Sequence, residues 1–261
     1  MAGIINGFMQ KSIDFDIVSD LYDYYVNTGL DIPFFMKVTE KIEGEILELM
    51  CGTGRVSLPL VRAGRELTCV DYCHDMLIRF KEKAWNENLS VEIFQQDVAM
   101  LNLNKKFKMA IIPFHSFGEL ADREKQNKTL EHIYEHLEDS GKLVVTLQNP
   151  KIRTKSADGF LRFIPPVKID DGKTLIVSYI NNYNQATGIV DGIQFYEIYD
   201  VNNILLEKRF LNIKFLLLQQ EEFEMMAESK GFKKEAIYGD YEFSDFHDEL
   251  SPYMLYILER I

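Results

Sequence analysis

Short apolar runs alternate with longer segments of helical periodicity between positions 45 and 150, and this alternation constrains the fold more than any other feature. Five runs rich in aliphatic residues are predicted to be strands, at 46–50, 67–70, 91–94, 109–112 and 143–147. Three segments between them are predicted to be helices, at 55–63, 74–86 and 122–138. Strand, helix and strand in this order favour right-handed βαβ units, and therefore a doubly wound parallel sheet of the α/β class.

The chain changes character after Pro150. Turn-forming sequences separate extended runs over 160–216, and no segment of helical periodicity intervenes. One of these runs, 211–215, alternates apolar and polar residues, as a strand with one solvent-exposed face does. One more helix and two final strands are predicted at 220–230, 233–238 and 253–259. The second half therefore predicts a small antiparallel β-sheet inserted into the α/β core.

The composition indicates which kinds of partner and which cellular compartment to expect. The 261 residues include 41 acidic and 29 basic side chains, and the formal charge of −12 argues against a nucleic-acid partner, whose phosphates need Lys and Arg. The three cysteines are too few for a disulfide scaffold, and Cys69 and Cys73 lack a second pair or a His cluster, so no metal is expected. No basic leader and no apolar stretch of about 18 residues is present, so we expect a reduced, soluble, cytoplasmic protein without membrane contact.

A glycine-containing loop over residues 48–55, Glu-Leu-Met-Cys-Gly-Thr-Gly-Arg, joins the first predicted strand to the first predicted helix. Gly52 and Gly54 permit a tight turn and a close approach of a ligand to the backbone. Ser57 occupies the place of the third glycine of a dinucleotide fingerprint, and no Gly-Lys-Ser/Thr follows, so a ligand without pyrophosphate is favoured. A glycine turn in a protein that binds no ligand is the alternative.

Two acidic residues end the next two strands, at the same predicted edge of the sheet. Asp71 ends strand two, where a carboxylate can accept hydrogen bonds from ribose hydroxyls. Asp97 ends strand three, where it can accept a hydrogen bond from an exocyclic amine such as that of adenine. Each acid alone also fits the N-cap of a helix. Together with the glycine loop, they favour binding of a nucleoside.

These residues resemble the class I S-adenosylmethionine-dependent methyltransferases. The resemblance rests on the glycine loop, on 70–77 (Val-Asp-Tyr-Cys-His-Asp-Met-Leu) and on 96–98, and it continues through 111–117 and 137–143. It implies S-adenosylmethionine as the cofactor, at the carboxyl edge of a doubly wound, seven-stranded Rossmann-like sheet whose last strand is antiparallel. The insertion after strand five resembles that of small-molecule members, including amino-sugar N-methyltransferases.

The resemblance also implies a division of the chain. Residues 1–35 would form an N-terminal lid segment, and residues 36–150 with 217–261 would form the cofactor-binding core. Residues 151–216 would form the antiparallel insertion, as a roof over the substrate side.

Carried over by position, the family's cofactor contacts fall on the glycine loop and on the ends of the next two strands. The positions implied for the methionyl part are Glu48, Met50, Cys51, Gly52 and Gly54, and those for the ribose and adenine are Asp71, Tyr72, Met76, Asp97 and Val98. Tyr22 matches a position that closes over the cofactor carboxylate, while Arg55 either pairs with that carboxylate or is a solvated helix residue. Met50 departs from the family, which has its first loop glycine there.

The methyl acceptor must lose a proton, and His115 after strand four is the predicted base because imidazole titrates near neutral pH. A hydrogen bond from His115 to a loop carbonyl or to the cofactor is the alternative. Tyr25 and Glu119 are predicted to contact the substrate, a small-molecule metabolite methylated on nitrogen or oxygen. Aromatic residues of the insertion are candidates for lining the pocket, although alternation does not say which face turns inward: Phe163, Tyr179, Phe195, Tyr196 and Tyr199.

Two other functions fit parts of the pattern. An NAD-dependent oxidoreductase also uses a glycine loop and an acidic residue on its ribose, but the missing third glycine and Asp97 speak against it. A non-catalytic binding protein of the same fold is compatible with Met50. The substrate, the choice between nitrogen and oxygen and the oligomeric state stay open.

Overall fold

Two separate β-sheets organise the protein in a computed structural model that describes residues 13–261. The strands, numbered along the chain, are β1 (Ile46–Leu49), β2 (Leu67–Asp71), β3 (Glu92–Gln95), β4 (Phe107–Ile112), β5 (Leu137–Gln148), β6 (Arg162–Lys168), β7 (Thr174–Asn184), β8 (Ile189–Tyr199), β9 (Leu205–Leu216), β10 (Phe232–Tyr238) and β11 (Tyr253–Arg260). The α-helices are α1 (Ser19–Tyr25), α2 (Ile32–Val38), α3 (Ser57–Arg62), α4 (His74–Asn86), α5 (Arg123–His136), α6 (Pro150–Arg153) and α7 (Gln220–Ser229).

The larger sheet has seven strands in the order β10-β11-β5-β4-β1-β2-β3. Strands β1 to β5 pair in parallel, whereas β11 runs antiparallel to both β5 and β10. The prediction of a seven-stranded sheet with an antiparallel last strand is confirmed. Because the first five strands are parallel, the loops that follow them meet at one edge of the sheet.

Helices cover both faces of this sheet, and alternate strand residues pack against the two layers. In β1, Leu47 lies in the core shared with α5 and α7, while Ile46 lies in the core shared with α2, α3 and α4. Both are fully buried, as are Phe80 of α4 and Phe223 of α7. Each such side chain contributes roughly 1.5–3 kcal/mol relative to exposure, so these two cores hold the strand ends in fixed positions.

Two helix boundaries differ by two residues from the sequence prediction. Helix α3 begins at Ser57 rather than at residue 55, because Gly54 has φ +80° and holds the loop out of the helical conformation. Helix α5 ends at His136 rather than at residue 138, since Leu137 is extended (φ −88°, ψ 151°) and begins β5.

The predicted insertion is a four-stranded antiparallel sheet in the order β6-β7-β8-β9, which we call the roof sheet. Its inner face contributes Leu175, Val177 and Tyr196 to a third core, in which they pack against Val18 and Leu21 beside and within α1. The roof sheet therefore rests on the N-terminal helix.

Helix α1 connects the roof sheet to the glycine loop. Arg209 of β9 forms a bidentate ion pair with Asp20, with N–O distances of 2.5 and 2.9 Å. On the other side, the hydroxyl of Thr53 donates a hydrogen bond to Asp23 Oδ1 at 2.6 Å. Helix α1 belongs to the predicted N-terminal lid segment, residues 1–35, whose role as a lid stays a prediction; residues 1–12 of that segment lie outside the described residues. Within residues 13–261, no helix is long and apolar enough to cross a membrane.

Candidate active site

The glycine loop makes a tight turn that depends on Gly52 and Gly54. Their φ angles are +55° and +80°, in the left-handed region that L side chains rarely adopt. A Cβ on Gly54 would lie 2.4 Å from Cδ2 of the Phe80 ring, and a Cβ on Gly52 would lie 3.4 Å from Met76 Sδ. Helix α4 therefore packs closely under the loop.

Asp71 holds the loops after β1 and β2 together. Its Oδ2 accepts a hydrogen bond from the backbone N–H of Gly52 at 2.8 Å, and its Oδ1 accepts one from Cys73 at 2.8 Å. The side chain is buried, and this desolvation raises the pKa of the carboxyl. A carboxylate has about four acceptor positions, so each oxygen keeps one for a ligand hydroxyl.

The remaining predicted nucleoside contacts lie at the same edge. Asp97 begins the 3₁₀-turn Val98–Met100, and its Oδ1 accepts a hydrogen bond from the backbone N–H of Ala99 at 2.9 Å. Val98 and Met76 are buried beside the loops. Tyr72 is half-buried, and its hydroxyl donates to the backbone oxygen of Ile13 in the lid segment. The structure thus brings together the predicted ribose and adenine positions; their contacts with the cofactor stay predictions.

Met50 has a left-handed backbone conformation, which glycine adopts without steric cost. Its φ is +59°, and its half-buried side chain packs against the core on the α5 side. The left-handed conformation costs a non-glycine residue roughly 1–2 kcal/mol. The departure from the family pattern is therefore accommodated at the expense of backbone strain.

We expect Met50→Gly to tighten binding of S-adenosylhomocysteine a few-fold, because it removes a side chain from the loop. The free energy of unfolding should change by less than about 1 kcal/mol, since relief of strain offsets the lost packing. Calorimetric titration and urea unfolding measure the two effects. The control is Asn88→Gly, which relieves a comparable φ of +54° at an exposed site after α4 and should leave affinity unchanged. Weaker binding by Met50→Gly would show that Met50 shapes the loop usefully.

Arg55 is neither solvated nor free. Its Nη1 and Nη2 donate to Asp31 Oδ1 and Oδ2 at 2.5 and 2.6 Å, and Nη1 also donates to the backbone oxygen of Thr28 at 2.9 Å. The guanidinium lies 4.5 Å from the centre of the Phe114 ring. The side chains of Arg55 and Asp31 are 13% and 2% exposed. The alternative of a solvated helix residue is therefore wrong, because Asp31, directly before α2, supplies a buried carboxylate. Pairing with a cofactor carboxylate stays a prediction.

Glu48 and Cys51 are both buried in the glycine-loop region. Burial raises the pKa of Glu48 to about 8, and its Oε2 has no hydrogen-bond partner among residues 13–261. Burial also raises the pKa of the Cys51 thiol, which keeps it protonated. A buried acceptor without a partner at this position fits the ammonium of a cofactor's methionyl part.

A cavity of about 220 Å³ lies between α1, the loop after β4 and the roof sheet. Its lining includes the predicted residues Tyr22, Tyr25, His115 and Glu119. Tyr22 and Tyr25 lie edge to face with ring centres 5.6 Å apart, and burial raises the pKa of both. The hydroxyl of Tyr25 is hydrogen-bonded to that of Tyr196 at 3.0 Å, so the roof sheet fixes this wall.

His115 lies in the cavity wall as a neutral side chain. Its backbone N–H donates to Thr146 Oγ1 at 3.0 Å, and its ring stacks on Tyr253 with centres 4.7 Å apart. Burial lowers the pKa of His115 to about 4, and Nδ1 has no hydrogen-bond partner among residues 13–261. An imidazole with this pKa is deprotonated at neutral pH but is a weak base.

Glu119 lines the same cavity, but its pKa is raised whereas that of His115 is lowered. Burial and then the charge of Asp71 raise its pKa to about 8. No group within residues 13–261 is hydrogen-bonded to its carboxyl. A carboxyl that titrates near neutral pH and has no internal partner is available to a bound ligand.

The roof sheet lines the cavity with other residues than the five predicted aromatics. Its contributions are Asn181, Gln194, Ile213, Phe215 and Leu216, together with the chain that follows β9. Tyr196 is fully buried against Tyr25, while Phe163 is 66% exposed; Tyr179, Phe195 and Tyr199 are also absent from the lining. Strand register accounts for Phe163, Phe195 and Tyr199, because residues adjacent along a strand, such as Gln194 and Phe195, point to opposite faces. Tyr179 and Tyr196 share the face of the lining residues but lie outside the cavity, and Tyr196 packs against Tyr25.

Sequence reasoning missed two cavity residues that follow or end β5, Gln148 and Arg153. No local pattern marks them, although the carboxyl ends of parallel strands are where ligands bind. Among residues 13–261, no group of three or more His, Cys, Asp and Glu side chains is placed to hold a metal ion.

Comparison with known proteins adds a family match. Residues 46–141 match a family model described as a methyltransferase domain. A putative methyltransferase of Geobacillus sp. strain WCH70 is 31% identical over 99 residues, 38% of this chain and 40% of that protein. A glycine/sarcosine N-methyltransferase of Aphanothece halophytica is 25% identical over 148 residues, 56% of this chain and 54% of that protein. The aligned part of the chain thus spans about half or less of these relatives.

Among solved structures, the CcbJ methyltransferase from Streptomyces caelestis is similar with a TM-score of 0.77 and 22% identity. The similarity covers 96% of this chain and 98% of that one, so it includes the roof sheet as well as the core.

Proposed function

This chain has the class I fold of S-adenosylmethionine-dependent methyltransferases and carries their domain over residues 46–141, and from this premise we propose that it methylates an amine nitrogen of a small molecule. The observation that carries the proposal is the cavity, which is walled by the loop after β4 on one side and by α1 and the roof sheet on the others. Its volume of about 220 Å³ suits a small substrate.

The residues present fit S-adenosylmethionine. The glycine loop turns tightly through Gly52 and Gly54, which have left-handed φ angles. Glu48 offers an unpartnered buried acceptor for an ammonium, and Asp71 keeps acceptor positions for ribose hydroxyls. When bound, this cofactor supplies a methyl group already activated on a sulfonium. The domain match also favours methyl transfer over the hydride transfer of a nicotinamide enzyme.

The protein's own task is then to position the acceptor and to take its proton. Orientation alone can supply roughly 7–11 kcal/mol of the barrier in favourable cases. Tyr25 is held by Tyr196 and lines the cavity, so it is placed to position a substrate.

We propose that Glu119, rather than the predicted base His115, takes the proton of the acceptor amine. A base works best when its pKa lies near the working pH, and Glu119 at about 8 meets this condition better than His115 at about 4. An incoming ammonium would pair with the Glu119 carboxylate and leave its proton there. His115 would then act through its position, as an uncharged wall stacked on Tyr253.

Two observations favour nitrogen over oxygen as the atom that is methylated: the unpaired carboxyl of Glu119 and the name of one relative. A carboxylate that lacks an internal partner attracts an ammonium more strongly than a neutral alcohol. The relative from Aphanothece halophytica is named as an N-methyltransferase of glycine and sarcosine, both of which are amines.

Asp71→Asn tests the cofactor assignment. Asparagine keeps one side-chain oxygen for a loop N–H but removes the charged acceptor, so S-adenosylhomocysteine should bind at least tenfold more weakly. Alanine is a poorer choice, since it would leave the N–H groups of Gly52 and Cys73 without their acceptor. Calorimetric titration measures the affinity.

The matched control is Asp122→Asn. Asp122 also accepts a backbone hydrogen bond two residues on, from Glu124 at 2.8 Å, but it caps α5 away from the cavity. The affinity of Asp122→Asn for S-adenosylhomocysteine should equal that of the wild type. Wild-type protein that binds NADH but not S-adenosylhomocysteine would refute the proposed function, and unchanged affinity in Asp71→Asn would remove the ribose assignment.

A further inference from the structure

Arg153 is a cavity residue whose charge no acidic side chain balances. It follows β5 in α6 and is half-buried in the cavity wall, with its guanidinium 5.3 Å from the centre of the Phe215 ring. No carboxylate within residues 13–261 forms an ion pair with it, and the sequence before residue 13 contains no Asp or Glu. Other arginines differ: Arg55, Arg162 and Arg209 each face a carboxylate.

Neutral oxygens hold this guanidinium in place. Its Nε donates to Gln148 Oε1 at 3.1 Å, and its Nη1 donates to Ser156 Oγ at 2.6 Å. With the amide of Asn181 oriented so that both of its polar atoms are satisfied, Nη2 donates to Asn181 Oδ1 at 2.7 Å. Three of the five N–H groups are thereby used, and one on each terminal nitrogen has no partner among the described residues.

A fixed arginine with a free N–H on two nitrogens is suited to an anion. The guanidinium keeps its charge even when desolvated, and its remaining donors match the paired oxygens of a carboxylate or a phosphate. Glu119 lines the same cavity, also without an internal partner. The cavity therefore offers one unbalanced cation and one unpaired carboxyl within a volume of about 220 Å³.

We propose that Arg153 is the specificity-determining residue of the cavity and binds an anionic group, a carboxylate or a phosphate, on the same small molecule whose amine is methylated. This inference rests on the proposed function for the identity of the second group. The substrate class is then a small amino acid-like or amino phosphate-like molecule, with its nitrogen toward Glu119 and its anion toward the roof sheet.

Matched probe pairs test the inference. Protein saturated with S-adenosylhomocysteine is titrated at constant ionic strength with glycine and glycinamide, 4-aminobutyrate and 4-aminobutyramide, and 2-aminoethyl phosphate and ethanolamine, and the melting temperature is followed. In at least one pair, the anionic member should act at a concentration at least tenfold lower than its neutral mate. The pair that responds distinguishes a carboxylate from a phosphate.

Three variants assign the effect. Arg153→Gln should abolish the preference for the anionic member, Arg153→Lys should retain part of it, and Arg162→Gln should keep it whole because Arg162 is paired with Asp158. With a probe that is turned over, Arg153→Gln should raise KM far more than it lowers kcat.

Two results would overturn the inference: no preference for the anion in any pair, or a preference that survives in Arg153→Gln. Failure of the proposed function is recognised separately, since it would appear first as absent binding of S-adenosylhomocysteine. The anion titration is then performed on the protein alone and still decides whether Arg153 binds an anion.

Discussion

Asp31→Ala is expected to lower the free energy of unfolding by about 3–5 kcal/mol, because it leaves the half-buried guanidinium of Arg55 without its counter-charge. The carboxylate of Asp31 is 2% exposed and receives both terminal nitrogens of Arg55. Only the backbone oxygen of Thr28 and the ring of Phe114 would remain as partners. Urea unfolding followed by circular dichroism measures the loss.

Two comparisons separate this effect from a general loss of charge. Glu40→Ala breaks an exposed ion pair with Lys37, in which the Lys37 side chain is 65% exposed and that of Glu40 is 50% exposed. It should leave the free energy of unfolding nearly unchanged, because solvent screens the pair. The double variant Asp31→Leu with Arg55→Met removes both charges and should recover much of the stability, since apolar pairs often replace buried ion pairs without loss. A loss below about 1 kcal/mol in Asp31→Ala would mean that solvent reaches Arg55.

The parallel direction of the strands explains why part of the site can be predicted from the sequence. Parallel strands place their carboxyl ends at one edge, so Gly52, Asp71 and Asp97 can be assigned to one site from three separate strand ends. The structure joins the first two directly, through the hydrogen bond from the Gly52 N–H to Asp71. Strand periodicity, a local property, was sufficient for this inference.

Contacts that depend on tertiary packing could not be predicted in the same way. Arg55 in the glycine loop pairs with Asp31, directly before α2, and Arg153 contacts Asn181 on the roof sheet, so neither partner lies within the local sequence window. The lining face of the roof sheet depends on its register against α1, which a period of two residues leaves undetermined. The helix boundary at Ser57 required knowing that Gly54 is left-handed.

Backbone strain after β4 is a further feature that sequence does not reveal. Phe114 and His115 have consecutive φ angles of +56° and +64°, although neither is a glycine. Sparsely populated conformations of this kind cost of order 1–3 kcal/mol each and persist where the surrounding structure determines them. Here they turn the chain so that the His115 ring stacks on Tyr253 and Glu119 reaches the cavity.

Glu119→Gln is expected to lower kcat by about 10²–10⁴-fold, the usual contribution of a general base. Glutamine keeps the shape of the side chain but cannot take the proton of an acceptor amine. In the wild type, the free-enzyme pKa of about 8 predicts that kcat/KM rises as pH increases through 8, because only the ionised carboxylate accepts a proton. Release of S-adenosylhomocysteine from S-adenosylmethionine, with an amine probe, measures both quantities across pH.

His115→Asn is the matched variant, since asparagine tolerates the left-handed φ of +64° at this position. It should lower kcat by less than about tenfold, because a buried imidazole contributes little as a base.

The pH dependence of stability gives a second measurement of Glu119 that needs no turnover. The raised pKa of Glu119 stabilises the fold below about pH 4.5, and this contribution is lost as pH rises through 8. As pH rises from 5 to 9, the free energy of unfolding should therefore fall less in Glu119→Gln than in the wild type. Some pH dependence should remain in the variant, because the buried Glu48 also has a raised pKa. A larger kcat loss in His115→Asn than in Glu119→Gln would return the role of base to His115.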